Sequence, residues 1–160
     1  MTIMKKIALL GSPGVGKTSL INRYVHNTFS EKYISTIGTR VSKKEVSVGG
    51  EELTMMIWDL LGQKDFRMLQ TVALKGISGA IIVCDVTDKE SIEDLAYWKG
   101  VSRDAVGEIP VLILANKTDL LDSDFSMESE EPYLLTSAKT GQNVESAFLK
   151  MADMILEEMK

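Results

Sequence analysis

Gly11-Ser12-Pro13-Gly14-Val15-Gly16-Lys17-Thr18 lies between a short apolar run, Ile7–Leu10, and a segment of helical period. It matches the pattern G-x-x-x-x-G-K-[ST] in full. Glycines at 11, 14 and 16 let the backbone wrap closely, so that its N–H groups converge on phosphate oxygens. The helix after the loop adds the positive end of its dipole. Lys17 supplies a mobile cation for the outer phosphates, and the Thr18 hydroxyl is placed to ligate Mg²⁺. A buried strand, a glycine loop and an amphipathic helix in that order imply a site for a nucleoside phosphate.

Outward from this loop, short apolar runs alternate with segments of helical period. Ile7–Leu10, Leu53–Trp58, Ala80–Cys84, Val111–Ala115 and Tyr133–Leu135 read as strands buried on both faces, as in a parallel sheet covered by helices. Leu20, Ile21, Tyr24 and Val25 share one helical face; Val144, Phe148, Met151, Ile155 and Met159 form another stripe. Ser91 with Asp94 three residues on reads as a helix start, with Ile92 and Leu95 on its buried side. Arg40–Val48 and Leu53–Asp59 flank Gly49-Gly50, a hairpin signal, and the charges mixed into the first run suit an edge strand. The pattern predicts an α/β fold with a mostly parallel sheet and one antiparallel edge strand.

In such sheets ligands sit beyond the carboxyl ends of the strands, which directs attention to the residues just after each run. Asn116-Lys117-Thr118-Asp119 comes directly after the fourth. Alone it is short enough to be a surface turn, yet its chemistry suits guanine. A buried Asp119 carboxylate would accept from N1–H and the 2-amino group, and adenine would leave it unpaired. Sites built to hydrogen-bond a substrate group reject analogues lacking it by about 10⁴-fold or more. Thr136-Ser137-Ala138-Lys139 comes after the fifth run and can offer a backbone N–H to the guanine O6. Asp59, directly after the second run, points an acid at the phosphates, where it can hold Mg²⁺ through water. Beyond it, Gly62 can present its N–H to a terminal phosphate, and Gln63 has the donor and acceptor needed to orient an attacking water.

The chain has 160 residues, 44% of them hydrophobic and 26% charged, which fits a single domain over 1–160 with its own core. A net charge of -5 argues against nucleic acid as a partner. One cysteine and one histidine exclude a Cys/His zinc site and a disulfide framework, and suit a reducing cytoplasm. No apolar run approaches the ~20 residues of a spanning helix. The N-terminal MTIMKKIALLG is too short in its apolar core for a signal peptide and reads as a strand. Residues 121–132, LDSDFSMESEEP, carry five carboxylates and no base, which suits a solvated acidic loop. His26 reads as a solvated or capping residue, Cys84 as a buried structural thiol, and Trp98 as packing. Trp58 reads as packing too, or as part of an exposed patch.

GSPGVGKTSL, STIG, IWDxxGQxxF, AIIVCDVTDKESIEDLAYW, NKTD and TSAK occur in that order. Together they resemble the Ras superfamily of small GTPases, and the Rab branch most. The likeness runs nearly end to end. It implies a P-loop G domain with a six-stranded sheet, helices on both faces, and a guanine-nucleotide switch that hydrolyses GTP slowly with Mg²⁺. It implies nucleotide contacts from Ser12, Pro13, Gly14, Val15, Gly16, Lys17, Thr18, Ser19, Asn116, Lys117, Asp119, Ser137, Ala138 and Lys139. By the same likeness Phe29 packs near the base, Tyr33 closes over the phosphates, and Thr36 and Gly62 contact the γ-phosphate. Without it, Phe29 and Tyr33 read as ordinary packing aromatics. Lys17, Thr36, Gly62 and Gln63 would serve hydrolysis, and Thr18, Thr36 and Asp59 the metal. Loops at about 29–40 and 60–74 would release when the γ-phosphate is lost. Effectors would bind these loops. No built-in arginine finger is evident, so a GTPase-activating protein is expected, beside an exchange factor.

The chain also departs from the family pattern. Pro13 removes an N–H from the phosphate loop, and Leu60-Leu61 replaces two small residues before Gly62. Thr39-Arg40-Val41 differs from the Rab-like sequence after Ile37-Gly38. Residues 121–132 are too few for the usual helix before the last strand, so that helix is expected to be shortened or lost. The sequence ends at Lys160 without a terminal cysteine, so no direct membrane anchor is expected in this chain, whether or not a lipidated tail once followed, and the likeness implies a monomer. The alternatives are a nucleotide-binding module without significant hydrolysis, and an ATP-using P-loop kinase, against which the N-K-x-D and S-A-K elements argue.

Overall fold

The computed structural model describes residues 3–26, 39–60 and 73–160. The strands are β1 (Ile3–Leu10), β2 (Thr39–Val48), β3 (Glu51–Leu60), β4 (Gly79–Asp85), β5 (Val111–Asn116) and β6 (Tyr133–Leu135). The helices are α1 (Lys17–His26), α2 (Lys89–Glu93), α3 (Leu95–Val106) and α4 (Val144–Glu158), with a 3₁₀ turn over Thr118–Leu120.

The strands form one six-stranded sheet in the order β2-β3-β1-β4-β5-β6. β2 pairs antiparallel with β3 across the Gly49-Gly50 turn, where both glycines have φ above +50°. Every other pairing is parallel. The expected sheet, with one antiparallel edge strand, is therefore present. β4 and β5 are buried along their whole length, as their unbroken apolar sequences require.

One face carries α1 and α4. Leu20, Ile21 and Tyr24 from α1 meet Val144, Phe148, Met151 and Ile155 from α4 above β1, β3 and β4. The Tyr24 and Phe148 rings stack in parallel with centroids 4.2 Å apart. Met159, the last member of the predicted α4 stripe, is exposed because the helix has already ended. The opposite face carries α3, whose Trp98 is 1% exposed among Leu10, Ile82 and Ile77. Trp58 is half-buried on this face, with the Lys6 ammonium 4.0 Å above its ring.

One local reading needs correction. The helical segment after β4 starts earlier than expected: Asp88 is the N-cap and accepts from the Glu90 N–H at 3.1 Å. Ser91, read as the helix start, is buried, and its hydroxyl sits between Asp85 and Asp88. Leu60, one of the two bulky residues before Gly62, lies in the core with Ala73, Leu74 and Ile77. Leu61 lies outside the described residues.

Between β5 and β6 the single 3₁₀ turn replaces a helix, as the length of the segment predicts. Residues 121–132 are irregular but not simply solvated. Leu121 and Phe125 pack over Cys84 and Ala115, covering sheet that a helix would otherwise protect. Glu131 pairs with Lys99 of α3, tying the loop down. Among the described residues no helix is long and apolar enough to cross a membrane.

Candidate functional site

The carboxyl ends of β1, β3, β4 and β5 open on the same edge, where Asp59 near the end of β3 and the residues just after β1 and β5 build the site. After β1 the backbone turns at Gly11, with φ +146°. A Cβ there would collide with the Val83 carbonyl, so only glycine lets β1 leave beside β4. Gly16, at φ +104°, is held equally close, because a Cβ would run into the Asn116 amide. Pro13 and Gly14 form the exposed crest of the loop, while Ser12 and Val15 are buried beneath it.

Lys17 opens α1 with its side chain folded back across the loop. Its ammonium donates to the Gly11 carbonyl at 2.9 Å and the Ser12 carbonyl at 3.2 Å. Burial lowers its pKa to about 8, with the Asp59 charge pulling the other way. The Thr18 hydroxyl donates to the Asp59 carboxylate at 2.6 Å. Burial raises the Asp59 pKa, and the Thr18 hydrogen bond and Lys17 oppose that rise. Ser19 comes next, half-buried on α1.

From the end of β5, Asn116 reaches back to the loop. Its side-chain N–H₂ donates to the Val15 carbonyl at 3.0 Å, and its oxygen accepts from the Thr136 hydroxyl at 3.0 Å. Lys117 adopts a left-handed backbone, φ +70°, which aims its ammonium at the Gly14 carbonyl 2.6 Å away. The same ammonium pairs with Asp85 at 3.0 Å. Asp119 stands one step further on and accepts from the Ser137 hydroxyl at 2.7 Å. Asp119 is exposed, which corrects the expectation of a buried carboxylate, because the 3₁₀ turn carries it to the rim. Ser137 and Ala138 are buried and Lys139 is exposed.

The structure thus brings the phosphate loop, Asp59, the NKTD segment and the SAK segment to one edge of the sheet. Phe29, Tyr33, Thr36, Gly62 and Gln63, with the two expected switch loops in large part, lie outside the described residues. Sequence reasoning missed three supporting groups. Asp94 accepts from the Ser12 hydroxyl at 2.9 Å, and Arg23 of α1 holds the SAK segment by two carbonyls. No local pattern marks either one, since their partners are 82 and 115 residues away. Asp85 was legible in principle, as a carboxylate ending an apolar strand at the ligand edge.

A Ras family profile matches residues 6–157, nearly the whole chain. The chain belongs to the Ras family. Within that family it resembles the Rab branch. It is 37% identical to the GTP-binding protein ypt1 of Schizosaccharomyces pombe over 164 residues, spanning 96% of this chain and 81% of that protein. Against the human Ras-related protein Rab-7b the identity is 38%, over 94% of this chain and 82% of the relative. The rat Rab-4B gives 38% over 96% and 77%. This Ras-family chain therefore carries the expected fold and the small-GTPase kinship read from its motifs. The comparisons lend no support to a non-hydrolysing module.

Proposed function

We propose that residues 1–160 form one G domain that binds GTP or GDP with Mg²⁺ and slowly hydrolyses GTP to GDP and phosphate. The observation that carries this reading is the direct mounting of the NKTD segment on the phosphate loop, through Asn116 to Val15 and Lys117 to Gly14. A loop suited to phosphates and a segment suited to guanine are thereby held at a fixed separation, as one nucleotide requires. That one relative is named a GTP-binding protein agrees with this.

In this reading Lys17 leaves the carbonyls of Gly11 and Ser12 for the outer phosphates, and the loop N–H groups from Ser12 to Ser19, with none from Pro13, complete the cradle. Asp119 selects guanine, and becomes desolvated when the base covers it. Ser137, Ala138 and Lys139 flank the O6 side. Phe29 and Tyr33 would close over base and phosphates. Thr36 and Gly62 would sense the γ-phosphate, and Gln63 would orient water, with no strong general base needed.

Thr18 and Asp59 offer a hydroxyl and a carboxylate oxygen side by side, hard donors that suit Mg²⁺, with Thr36 proposed as a third. Bound there, Mg²⁺ would neutralise charge developing on the phosphate oxygens. The loops at about 29–40 and 60–74 would present the nucleotide state to effectors. A GTPase-activating protein and an exchange factor would set the timing, and cysteine usage suggests a cytoplasmic setting. The test is single-turnover hydrolysis of bound GTP with Mg²⁺, beside Gln63→Leu. Slow hydrolysis that falls further in the variant supports the reading; no hydrolysis by the wild-type protein, with or without candidate activators, overturns it.

A further inference from the structure

We propose that Arg23 is a positioning residue for the base-recognition segment, and that it sets how long the nucleotide stays bound. This inference rests on the proposed guanine-binding reading. Arg23 lies two turns along α1 from Lys17, on the side that faces α4. Its Nε donates to the Ala138 carbonyl at 2.7 Å and its Nη2 to the Lys139 carbonyl at 2.5 Å. Two donors of one rigid fork thus hold two consecutive peptide units. The Ala138 carbonyl orients the Ala138–Lys139 peptide, which carries the Lys139 N–H, and the Lys139 carbonyl orients the Lys139–Thr140 peptide after it. In the guanine-binding reading, the N–H groups of Ala138 and Lys139 face the base.

The geometry makes α1 a bridge between the two ends of the ligand. Its first turn carries Lys17 and Thr18 at the phosphate end, and its last turns carry Arg23 at the base end. The remainder of the SAK turn is held by Gly141 N–H to the Ser137 carbonyl at 2.8 Å, Ser137 N–H to the Gln142 carbonyl at 3.1 Å and the Ser137 hydroxyl to Asp119. Arg23 supplies the anchorage to a separate element at Ala138 and Lys139. The Ala138 bond is partly buried, so water competes for it poorly. Lysine could reach one carbonyl but could not span both in the same plane.

The test uses the full chain loaded with a fluorescent GDP, comparing wild type, Arg23→Lys and Arg23→Met. Release should speed up by about 10- to 100-fold in Arg23→Met, with Arg23→Lys intermediate. Affinities for GDP and 6-thio-GDP separate positioning from general loosening, because sulfur at position 6 is a weaker acceptor than oxygen. In wild type GDP should bind more tightly than 6-thio-GDP, and in Arg23→Met that preference should shrink toward parity. Wild-type release rates in both variants would overturn the proposal. So would a fall in affinity that is equal for the two nucleotides, which a merely structural role would give. If the wild-type protein binds no GDP at all, the guanine reading itself fails, a result distinct from either of these.

Discussion

The Thr18 hydroxyl donates to the Asp59 carboxylate at 2.6 Å, joining the first turn of α1 to the end of β3. The bond favours the charged form of a buried acid whose pKa desolvation raises on balance. It also sets the two oxygens proposed to hold Mg²⁺ side by side. Thr18→Ala removes one proposed ligand and a hydrogen bond that favours the charged form of the other. The free Mg²⁺ needed to slow nucleotide release should therefore rise by at least about ten-fold, while Thr18→Ser stays near wild type. Nucleotide release measured against buffered Mg²⁺ gives the answer, and an unchanged midpoint in the alanine variant would count against the assigned pair.

Asn116 satisfies two buried partners at once, the Val15 carbonyl and the Thr136 hydroxyl. Asn116→Ala leaves both without it. A loss of about 2–4 kcal/mol in folding stability is expected, on top of weaker nucleotide binding. Denaturant unfolding of the nucleotide-free protein checks it; a loss under about 0.5 kcal/mol would mean the phosphate loop does not depend on this strut.

Two glycines should respond in opposite directions. Gly11→Ala drives a methyl into the Val83 carbonyl at φ +146° and should cost at least about 2 kcal/mol. Gly100 sits within α3 with open space where its Cβ would be. Gly100→Ala should raise stability by about 0.5–1 kcal/mol, since alanine restricts the unfolded chain and favours the helix. Thermal and denaturant midpoints of the pair would separate local strain from a general tolerance of the fold.

With its pKa near 8, Lys17 is charged at neutral pH and sheds its proton as the pH rises through that value. Bound phosphates favour the charged form, so binding above pH 8 must take up a proton. Affinity for GDP should then fall as pH rises from 7 to 9, by at most about ten-fold per unit, relative to Lys17→Met. Calorimetry in buffers of different ionisation heat should show proton uptake at pH 9 and little at pH 7. Equal proton uptake in the methionine variant would assign the effect to another group.

Cys84 is fully buried in β4, and burial pushes its thiol up to about 12. A thiol-specific disulfide reagent at pH 8 should leave the native protein unlabelled and titrate one thiol per chain in denaturant. Fast labelling without denaturant would show that β4 opens locally.

Much of this molecule is written in local sequence. The five apolar runs, the Gly49-Gly50 turn and the eight residues from Gly11 to Thr18 specify the sheet and its phosphate loop, because strand burial and backbone torsion are properties of neighbours in the chain. The shortened crossover is legible as well, from a count of residues between Asp119 and Tyr133. The irregular loop's hold on the sheet is not: Phe125 over Cys84 and Glu131 on Lys99 are contacts between distant segments. The helix start at Asp88 escapes a local reading because a cap depends on which residue leaves the strand at the right angle, and Ser91 is drawn instead into the buried turn behind Asp85. Local sequence was enough to say which residue types lie beyond each strand. Their pairing was settled only in three dimensions: Asn116 on Val15, Lys117 between Gly14 and Asp85, Arg23 on Ala138 and Lys139. The reason is that a hydrogen bond between residues a hundred positions apart carries no local signature, and becomes available only when strand order brings the two carboxyl ends together.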